Sequence, residues 1–225
     1  MNGFFLSVMS LLLYTSSCVS QGNQPIKNQK QDTMKRFNEA LYKTLPVDEK
    51  TGSYRLSNGN LVQLINKTQH HGYVEKINKY PTAYITYFEY HLNDVLKKEG
   101  QLFYDFNTGK WKEYDTNGSF VKETDMDQPY HFSLDKLIDK IKKEYFVDLT
   151  LKTPGNSVSR FQYEKLSNRP FYEVKLASKE NNMQINYILV DGNNGETLFK
   201  TSYFLKQRAN PFNEYLKSQQ ANTTK

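Results

Sequence analysis

The chain has 225 residues, of which 14% are aromatic and 24% charged, and its net charge is +6. This length allows one large domain or two small ones, and the charged share is that of a soluble globular body. Lysines and arginines are mixed with acids instead of forming the basic stripe that nucleic-acid binding needs, so we expect no nucleic-acid partner. The 17 tyrosines and 14 phenylalanines favour β-structure.

The N-terminus has the pattern of an export signal. The apolar run Phe4–Tyr14 is too short to span a bilayer stably but fits a signal peptide, and small residues lead from it to Cys18, the only cysteine. This stretch resembles a bacterial lipoprotein signal of the Bacteroidetes type, which implies a signal peptide at 1–17 and a lipid on Cys18 that anchors the protein to a membrane of the cell envelope. The alternative is a secretory signal cleaved near Ser20, which would give a secreted or periplasmic protein.

A tether and a short helix are predicted next. Residues 18–33 combine the anchor cysteine with a polar, amide-rich stretch, which is typical of a flexible spacer. Met34–Leu45 predicts an amphipathic helix, capped by Asp32 or Thr33 and ended by Pro46. Its expected buried stripe consists of Phe37, Leu41 and Leu45.

Residues 50–125 predict turns and short antiparallel strands. Asn58-Gly59 lies between two apolar runs, as in a hairpin, and Ala83–Tyr90 alternates as a strand does. Three glycines then recur every nine residues, with the strands LFYDF and KWKEYD expected between them. Reverse turns are predicted at Asn107-Thr108-Gly109 and Thr116-Asn117-Gly118.

The stretch GKWKEYDTNG resembles the MORN-like repeats of bacterial envelope and antitoxin-like proteins. The resemblance covers about residues 52–125 of an N-terminal region at 34–125, and it implies an extended β-meander whose partners are diverse. The candidate binding residues on this meander are Trp111, Tyr114 and Tyr104. For Trp111 we favour packing across the meander over an exposed ligand platform, because large aromatic side chains mostly contribute burial.

The segment Ser133–Leu149 predicts the main amphipathic helix, with Ser133 as its N-cap and Pro154-Gly155 beyond its end. Three alternating stretches, VSRFQYEKL, RPFYEVKLAS and MQINYILVDGNNGETLFKTSYFL, then predict an antiparallel meander. The polar tail 209–225 predicts one docked helical turn and a frayed end. The buried stripe expected for the main helix consists of Leu134, Leu137, Ile138, Ile141, Tyr145 and Leu149.

The helix, the strand that starts at Phe171 and the hairpin YILVDGNNGETL together resemble the PepSY family. In the family's hairpin motif V-D-x-x-T-G-x-V, the matching residues are Val190, Asp191, Gly195 and Leu198. Asn194 stands where threonine is usual, and two residues, Glu196 and Thr197, precede the closing Leu198 where the motif has one. The resemblance covers about residues 133–205 of a region at 126–208. It implies binding, with restraint of a peptidase as one expectation, and no catalysis.

No catalytic constellation stands out. The four histidines form no HExxH motif, and the adjacent pair His70-His71 fits solvated loop residues better than metal ligands. Glycine at the fifth position of Asp191–Glu196 does not fit a calcium loop. We therefore expect no catalytic residues, no metal and no cofactor.

These patterns predict an α+β fold, with an antiparallel β-meander and one main helix packed on the C-terminal sheet. The favoured function is a non-catalytic binding or regulatory protein of the cell envelope that restrains a peptidase or binds another envelope protein or peptide. We expect it to be a monomer. One alternative is an immunity or antitoxin-like protein that neutralises a toxin. Another is a hydrolase with dispersed acidic residues and an aromatic-lined cleft.

Overall fold

The computed structural model describes residues 34–181, 183–207 and 209–223. It confirms the predicted α+β class, with two antiparallel meanders and helices packed against the second. The predicted signal peptide, the lipidation of Cys18, the tether and the helix cap at Asp32 or Thr33 lie outside the described residues. Within the described ranges, no helix is long and apolar enough to cross a membrane.

The first sheet is a seven-stranded meander in which each strand pairs with its neighbours in sequence. The hairpin predicted at Asn58-Gly59 is confirmed, since Gly59 N donates to Leu56 O over 2.9 Å and Arg55 pairs with Leu61. The strands are β1 (Tyr54–Arg55), β2 (Leu61–Ile65), β3 (Val74–Asn78), β4 (Tyr84–Tyr90), β5 (Leu96–Phe103), β6 (Phe106–Tyr114) and β7 (Phe120–Asp125).

The second sheet, in the order β11-β10-β9-β8, is covered on each face by a helix. Its strands are β8 (Ser157–Tyr163), β9 (Arg169–Ala177), β10 (Gln184–Asp191) and β11 (Thr197–Phe204), and the helices are α2 (Leu134–Tyr145) and α3 (Pro211–Thr223). Ile141 of α2 belongs to the core cluster of Tyr172, whereas Tyr215 of α3 belongs to that of Phe171. Adjacent strand residues point to opposite faces, so the two helices lie on opposite sides of the sheet.

The main core joins the two sheets. Ala83, Phe103 and Tyr104 of the first sheet's region belong to the same buried cluster as α2 and the inner face of the second sheet. The chain from Met34 onward forms one compact unit. The border between the two predicted regions, at residues 125/126, therefore lies within a continuous core.

The helix predicted at Met34–Leu45 is wrong in extent, because α1 spans only Glu39–Tyr42. The backbone before it pairs instead with the first sheet: Phe37 N donates to Asp94 O over 2.8 Å, and Leu96 N donates to Lys35 O over 2.9 Å. This tertiary pairing overrides local helix propensity. In the shortened helix the predicted core residue Leu41 is exposed, and Tyr42 is buried in its place.

Two turn predictions have different outcomes. The turn at Thr116-Asn117-Gly118 is confirmed, with Asp115 N donating to Ser119 O over 2.9 Å. Asn107-Thr108-Gly109 lies inside β6, and LFYDF is split by a chain reversal at Tyr104-Asp105. The Asp127 carboxylate accepts hydrogen bonds from Thr108 Oγ1 and Gly109 N, which holds this part of the strand in a bulge.

The two C-terminal helix predictions differ from the structure in length. The Ser133 cap is confirmed, since its hydroxyl accepts from Lys136 N over 3.4 Å, but α2 ends at Tyr145 instead of Leu149. The tail forms the 13-residue helix α3 instead of a single turn. Phe212 and Tyr215 pack against the outer face of the second sheet, and this burial stabilises the longer helix.

Candidate binding groove

Two adjoining cavities open at the C-terminal end of α2. They measure about 340 and 360 Å³, which is within the range of small-ligand pockets, and both are lined by Val147, Ala177, Ser178 and Lys179. We call this surface the α2 groove. Its other lining residues are Tyr145, Phe146, Asp148, Leu151, Thr153, Asn156, Leu176, Glu180, Gln184 and Asn186.

The groove exists because α2 ends abruptly. Phe146 takes the left-handed conformation, with φ 56° and ψ 36°, and its N–H donates to Lys142 O over 3.1 Å. Glycine is the usual residue at this helix-ending position, because a side chain there strains the backbone. The chain turns away from the helix axis at Phe146 and leaves space between the helix end and the end of β9.

The loop after Phe146 is held firmly in place. Asp148 Oδ1 accepts from Thr150 N (3.0 Å) and Thr150 Oγ1 (2.6 Å), and Asp148 Oδ2 lies 3.1 Å from Lys142 Nζ. The hydrogen bonds from Thr150, followed by the pairing with Lys142, lower the pKa of Asp148. Ala83 N donates to Thr150 O over 2.8 Å, which ties the loop to the first sheet. One wall of the groove is therefore pre-formed.

Large apolar side chains are exposed around this wall. Among the described residues, Phe146 is the most exposed large apolar residue at 81%, and Tyr80 follows at 75%. Leu151 is 45% exposed, and it forms a β-bridge with Thr82, two residues from Tyr80. Lys152 N also donates to Pro81 O over 2.8 Å. The three exposed side chains therefore come from segments that lie next to each other.

Phe146 differs from the other aromatic residue in the left-handed conformation. Tyr104 has φ 53° but is only 5% exposed and lies in the main core, so its burial offsets the backbone strain. Phe146 has a similar strain and no such burial. A strained, exposed aromatic residue is the kind of outlier that points to a function.

The rim of the groove is basic. Lys179 lines the groove, with its Nζ 6.0 Å from the Phe146 ring centroid, and Lys143 lies one helical turn before Phe146. Within the part of the chain that the structure describes, no ion pair is found for either of these lysines. The surface combines apolar side chains with uncompensated positive charge.

This groove is suited to binding. Hydroxyl and amide side chains such as Ser178 and Asn156 can hydrogen-bond a ligand. The lining residues include no histidine or cysteine, the Asp148 carboxylate is engaged by Thr150 and Lys142, and among the described residues no hydrogen bond joins the Glu180 carboxylate to a lining hydroxyl. We therefore find in the lining no nucleophile paired with a base.

The three candidate binding residues from the sequence are placed apart from the groove. Trp111 is 3% exposed and packs against Gly100, as core packing requires. Tyr104 lies in the main core, and Tyr114 is half-buried with its hydroxyl donating to Glu99 over 2.7 Å. The three rings do not form one exposed surface, and a role for them in ligand binding stays a prediction.

The histidines give a cavity but no metal centre. His70, His71 and His91 line a cavity of about 340 Å³ at the other end of β4. His91 Nε2 lies 2.9 Å from Tyr114 O, and because a carbonyl only accepts, this nitrogen is the donor. Among the described residues, no group of three or more histidine, cysteine, aspartate or glutamate side chains is placed to hold a metal ion.

The hairpin that carries the PepSY resemblance uses its aspartate for structure. The Asp191 carboxylate is buried, accepts from Arg169 Nε over 2.9 Å and accepts from Asn193 N over 2.6 Å. A side chain on Gly195 would overlap the Phe132 ring. These contacts fix the turn beside the N-terminus of α2.

A buried carboxylate in the first sheet is the strongest acid–base candidate that the sequence did not reveal. Glu75 accepts hydrogen bonds from the Tyr42 hydroxyl (2.5 Å) and the Tyr90 hydroxyl (2.6 Å). Burial, and then the hydrogen bond to Glu75, raises the pKa of both phenols well above the usual range, so both remain protonated donors. Both carboxylate oxygens are engaged within an apolar cluster, and we assign this group to stability.

No protein-family profile, curated protein or solved structure matches this chain. The MORN-like and PepSY-like resemblances stay predictions.

The α2 groove was not predicted from the sequence, although one signal was present. Phe146 is a large apolar residue outside the buried stripe predicted for its helix.

Proposed function

We propose that the protein is a non-catalytic binding or regulatory protein of the cell envelope, and that it engages another envelope protein or a peptide through the α2 groove. Anchoring through a lipid on Cys18 belongs to the same proposal. Restraint of a peptidase is one form that such regulation takes.

The observation that carries the proposal is the ring of Phe146, which is 81% exposed although its backbone is strained. A left-handed backbone disfavours any side chain there by about 1 kcal/mol, and exposure of a large ring removes the burial that would offset this strain. If a partner covered the Phe146 ring, the burial of the ring would offset the backbone strain. The neighbouring Leu151 and Tyr80 would enlarge the covered apolar area.

A native pull-down tests the proposal. The bait is the chain from residue 24 onward, which keeps the whole core because the core residues lie between Phe37 and Tyr215. It is immobilised through its N-terminus, exposed to envelope extract of the source cells and analysed by mass spectrometry. We expect a specific partner that is enriched by the wild-type chain and lost with Phe146→Gly.

The matched control is Phe120→Ala, which removes another exposed ring from the distant strand β7. It should leave the enrichment unchanged. A peptidase or a toxin as the captured partner would define the kind of regulation. Equal capture by all three baits, or none by the wild type, would contradict a role of the groove in binding.

A further inference from the structure

The shape of the α2 groove limits what can fill it. The larger cavity, of about 360 Å³, is lined on its apolar side by Phe146, Val147 and Leu151. A single large apolar side chain fits a space of this kind. A flat bilayer surface would touch the exposed rings but would leave such a concave space unfilled, so a protruding side chain is the better match.

The charges around the groove limit it further. Lys179 in the lining and Lys143 at the adjoining end of α2 make no ion pair with described residues, and Glu180 is the one acid in the lining without such a pair. The other lining acid, Asp148, is neutralised by Lys142 at 3.1 Å. The rim therefore has an excess of positive charge, which favours a ligand with negative charge beside its apolar group.

We infer that the α2 groove binds a peptide segment in which a large apolar side chain is flanked by acidic residues. This rests on the proposed function, whose binding site it shares. The apolar side chain enters the cavity between Phe146 and Leu151, and the flanking carboxylates lie near the lysine ammonium groups. Asn156 Oδ1 and Ser178 Oγ already accept hydrogen bonds from backbone N–H groups of the protein, so the Asn156 amide N–H and the Ser178 O–H are the groups left to donate to the peptide backbone.

Fluorescence polarisation with designed peptides tests this inference. The probes are fluorescein-labelled nonapeptides of glycine and serine with a central leucine, flanked on each side by two glutamates, two glutamines or two lysines. A fourth probe keeps the glutamates and has alanine at the centre. At low salt we expect the glutamate probe to bind about tenfold more tightly than the glutamine probe, and the lysine probe to bind least.

The central alanine should weaken binding at least about tenfold, because an apolar pocket discriminates by the buried area of its ligand. Added salt should reduce the advantage of the glutamate probe over the glutamine probe. Equal affinity of the three leucine probes would overturn the charge part of the inference. Equal affinity of the leucine and alanine probes would overturn the apolar part.

Two groove variants locate the binding. Phe146→Gly should abolish binding of the glutamate probe, and glycine is tolerated at this left-handed position, so the variant should still fold. Lys179→Gln should weaken the glutamate probe but not the glutamine probe. The matched controls are Lys217→Gln, an exposed lysine of α3, and Phe120→Ala, and both should bind as the wild type does.

A vesicle arm separates the peptide from a membrane. Vesicles of phosphatidylcholine with one-quarter phosphatidylglycerol are mixed with the chain from residue 24 onward. Binding to vesicles that is lost with Phe146→Gly, together with no peptide binding, would overturn the inference in favour of a lipid surface. A partner captured in the pull-down whose contact segment is basic would overturn it while leaving the proposed function intact.

Discussion

The Arg160 guanidinium on β8 of the second sheet lies 2.7 Å from the Asp127 carboxylate, which follows the last strand of the first sheet. Nη1 makes this ion pair without hydrogen-bond alignment, whereas Nη2 donates to Asn107 O (2.5 Å) and Met126 O (2.9 Å). The Arg160 side chain is only 5% exposed and faces two aromatic rings. One side chain of the second sheet therefore hydrogen-bonds two backbone carbonyls of the first sheet's region and forms an ion pair with a carboxylate there.

Replacing this arginine should weaken the whole fold. We expect Arg160→Met to lower the free energy of unfolding by about 2–4 kcal/mol, because it leaves a carboxylate and two carbonyl oxygens without their buried donor. Urea unfolding followed by circular dichroism measures the change. Arg55→Met, which removes an exposed ion pair with Asp48, is the control and should have little effect. A similarly small effect for Arg160→Met would contradict its role as the link between the sheets.

Phe146 and Tyr104 form a matched pair for the cost of a left-handed backbone. Their φ angles are 56° and 53°, but Phe146 is exposed and Tyr104 is buried. We expect Phe146→Gly to raise the free energy of unfolding by up to about 1 kcal/mol, since the strain is relieved and no buried contact is lost. Tyr104→Gly should lower it by about 2–4 kcal/mol, because the lost burial outweighs the same relief. Thermal unfolding of both variants would show whether the two changes have opposite signs.

Gly100 is expected to be intolerant of a side chain. An added Cβ would overlap the Trp111 ring, and the φ of Gly100 is not positive, so the overlap alone is responsible for the strain. We expect Gly100→Ala to lower the free energy of unfolding by about 1–3 kcal/mol. Because Trp111 is the only tryptophan, a red shift of its fluorescence should report the displaced ring. Unchanged emission together with wild-type stability would show that the ring does not occupy this position.

The hydrogen bond between Tyr90 and Glu75 predicts a loss of stability at alkaline pH. Burial, and then this hydrogen bond, raises the pKa of Tyr90 far above its ordinary value of 10.0. Above pH 10 the unfolded chain loses the phenol proton while the folded chain keeps it, so this contribution to stability is complete below pH 10 and declines as the pH rises. The decline amounts to roughly 1.4 kcal/mol per pH unit for one tyrosine.

Urea unfolding between pH 8 and pH 11 measures this decline. In Tyr90→Phe, the free energy of unfolding should fall less steeply above pH 10, by roughly 1.4 kcal/mol per pH unit. At pH 8 the variant should be less stable than the wild type by about 1 kcal/mol, because it lacks the hydrogen bond to Glu75. Tyr80→Phe is the control, because Tyr80 is 75% exposed. Parallel slopes for the wild type and Tyr90→Phe would show that the Tyr90 phenol titrates equally in both states.

Local pattern was sufficient for elements whose faces are buried by their neighbours in sequence. The N-cap at Ser133 and the apolar stripe through Ile141 correctly predicted α2, and the alternation of apolar and polar residues along β9 and β10 correctly predicted the strands of the second sheet. Pattern failed at Lys35–Phe37, where pairing with a distant strand overrides helix propensity. It also failed at Phe146, where the helix ends on a residue that normally does not take the left-handed conformation.

The α2 groove could not be predicted for a related reason. Phe146 and Leu151 line it and the exposed Tyr80 lies on the neighbouring segment, and nothing local indicates that residues 80–82 lie beside 150–152. The basic rim was equally hidden, because the same lysines look like a mixed charge pattern along the chain. The structure shows that Lys140 and Lys142 form ion pairs with nearby acids, and only this distinguishes them from the lysines that have no such partner among the described residues.

Photo-crosslinking in the source cells tests the central claim most directly. Benzoyl-phenylalanine replaces Phe146 in one strain and the equally aromatic, exposed Phe120 in a control strain. We predict one defined crosslinked partner at position 146 that is absent at position 120 and is reduced when Lys179 is also changed to glutamine. The same products at both positions, or no product at position 146 when the protein is present at its normal level, would contradict a binding role for the α2 groove.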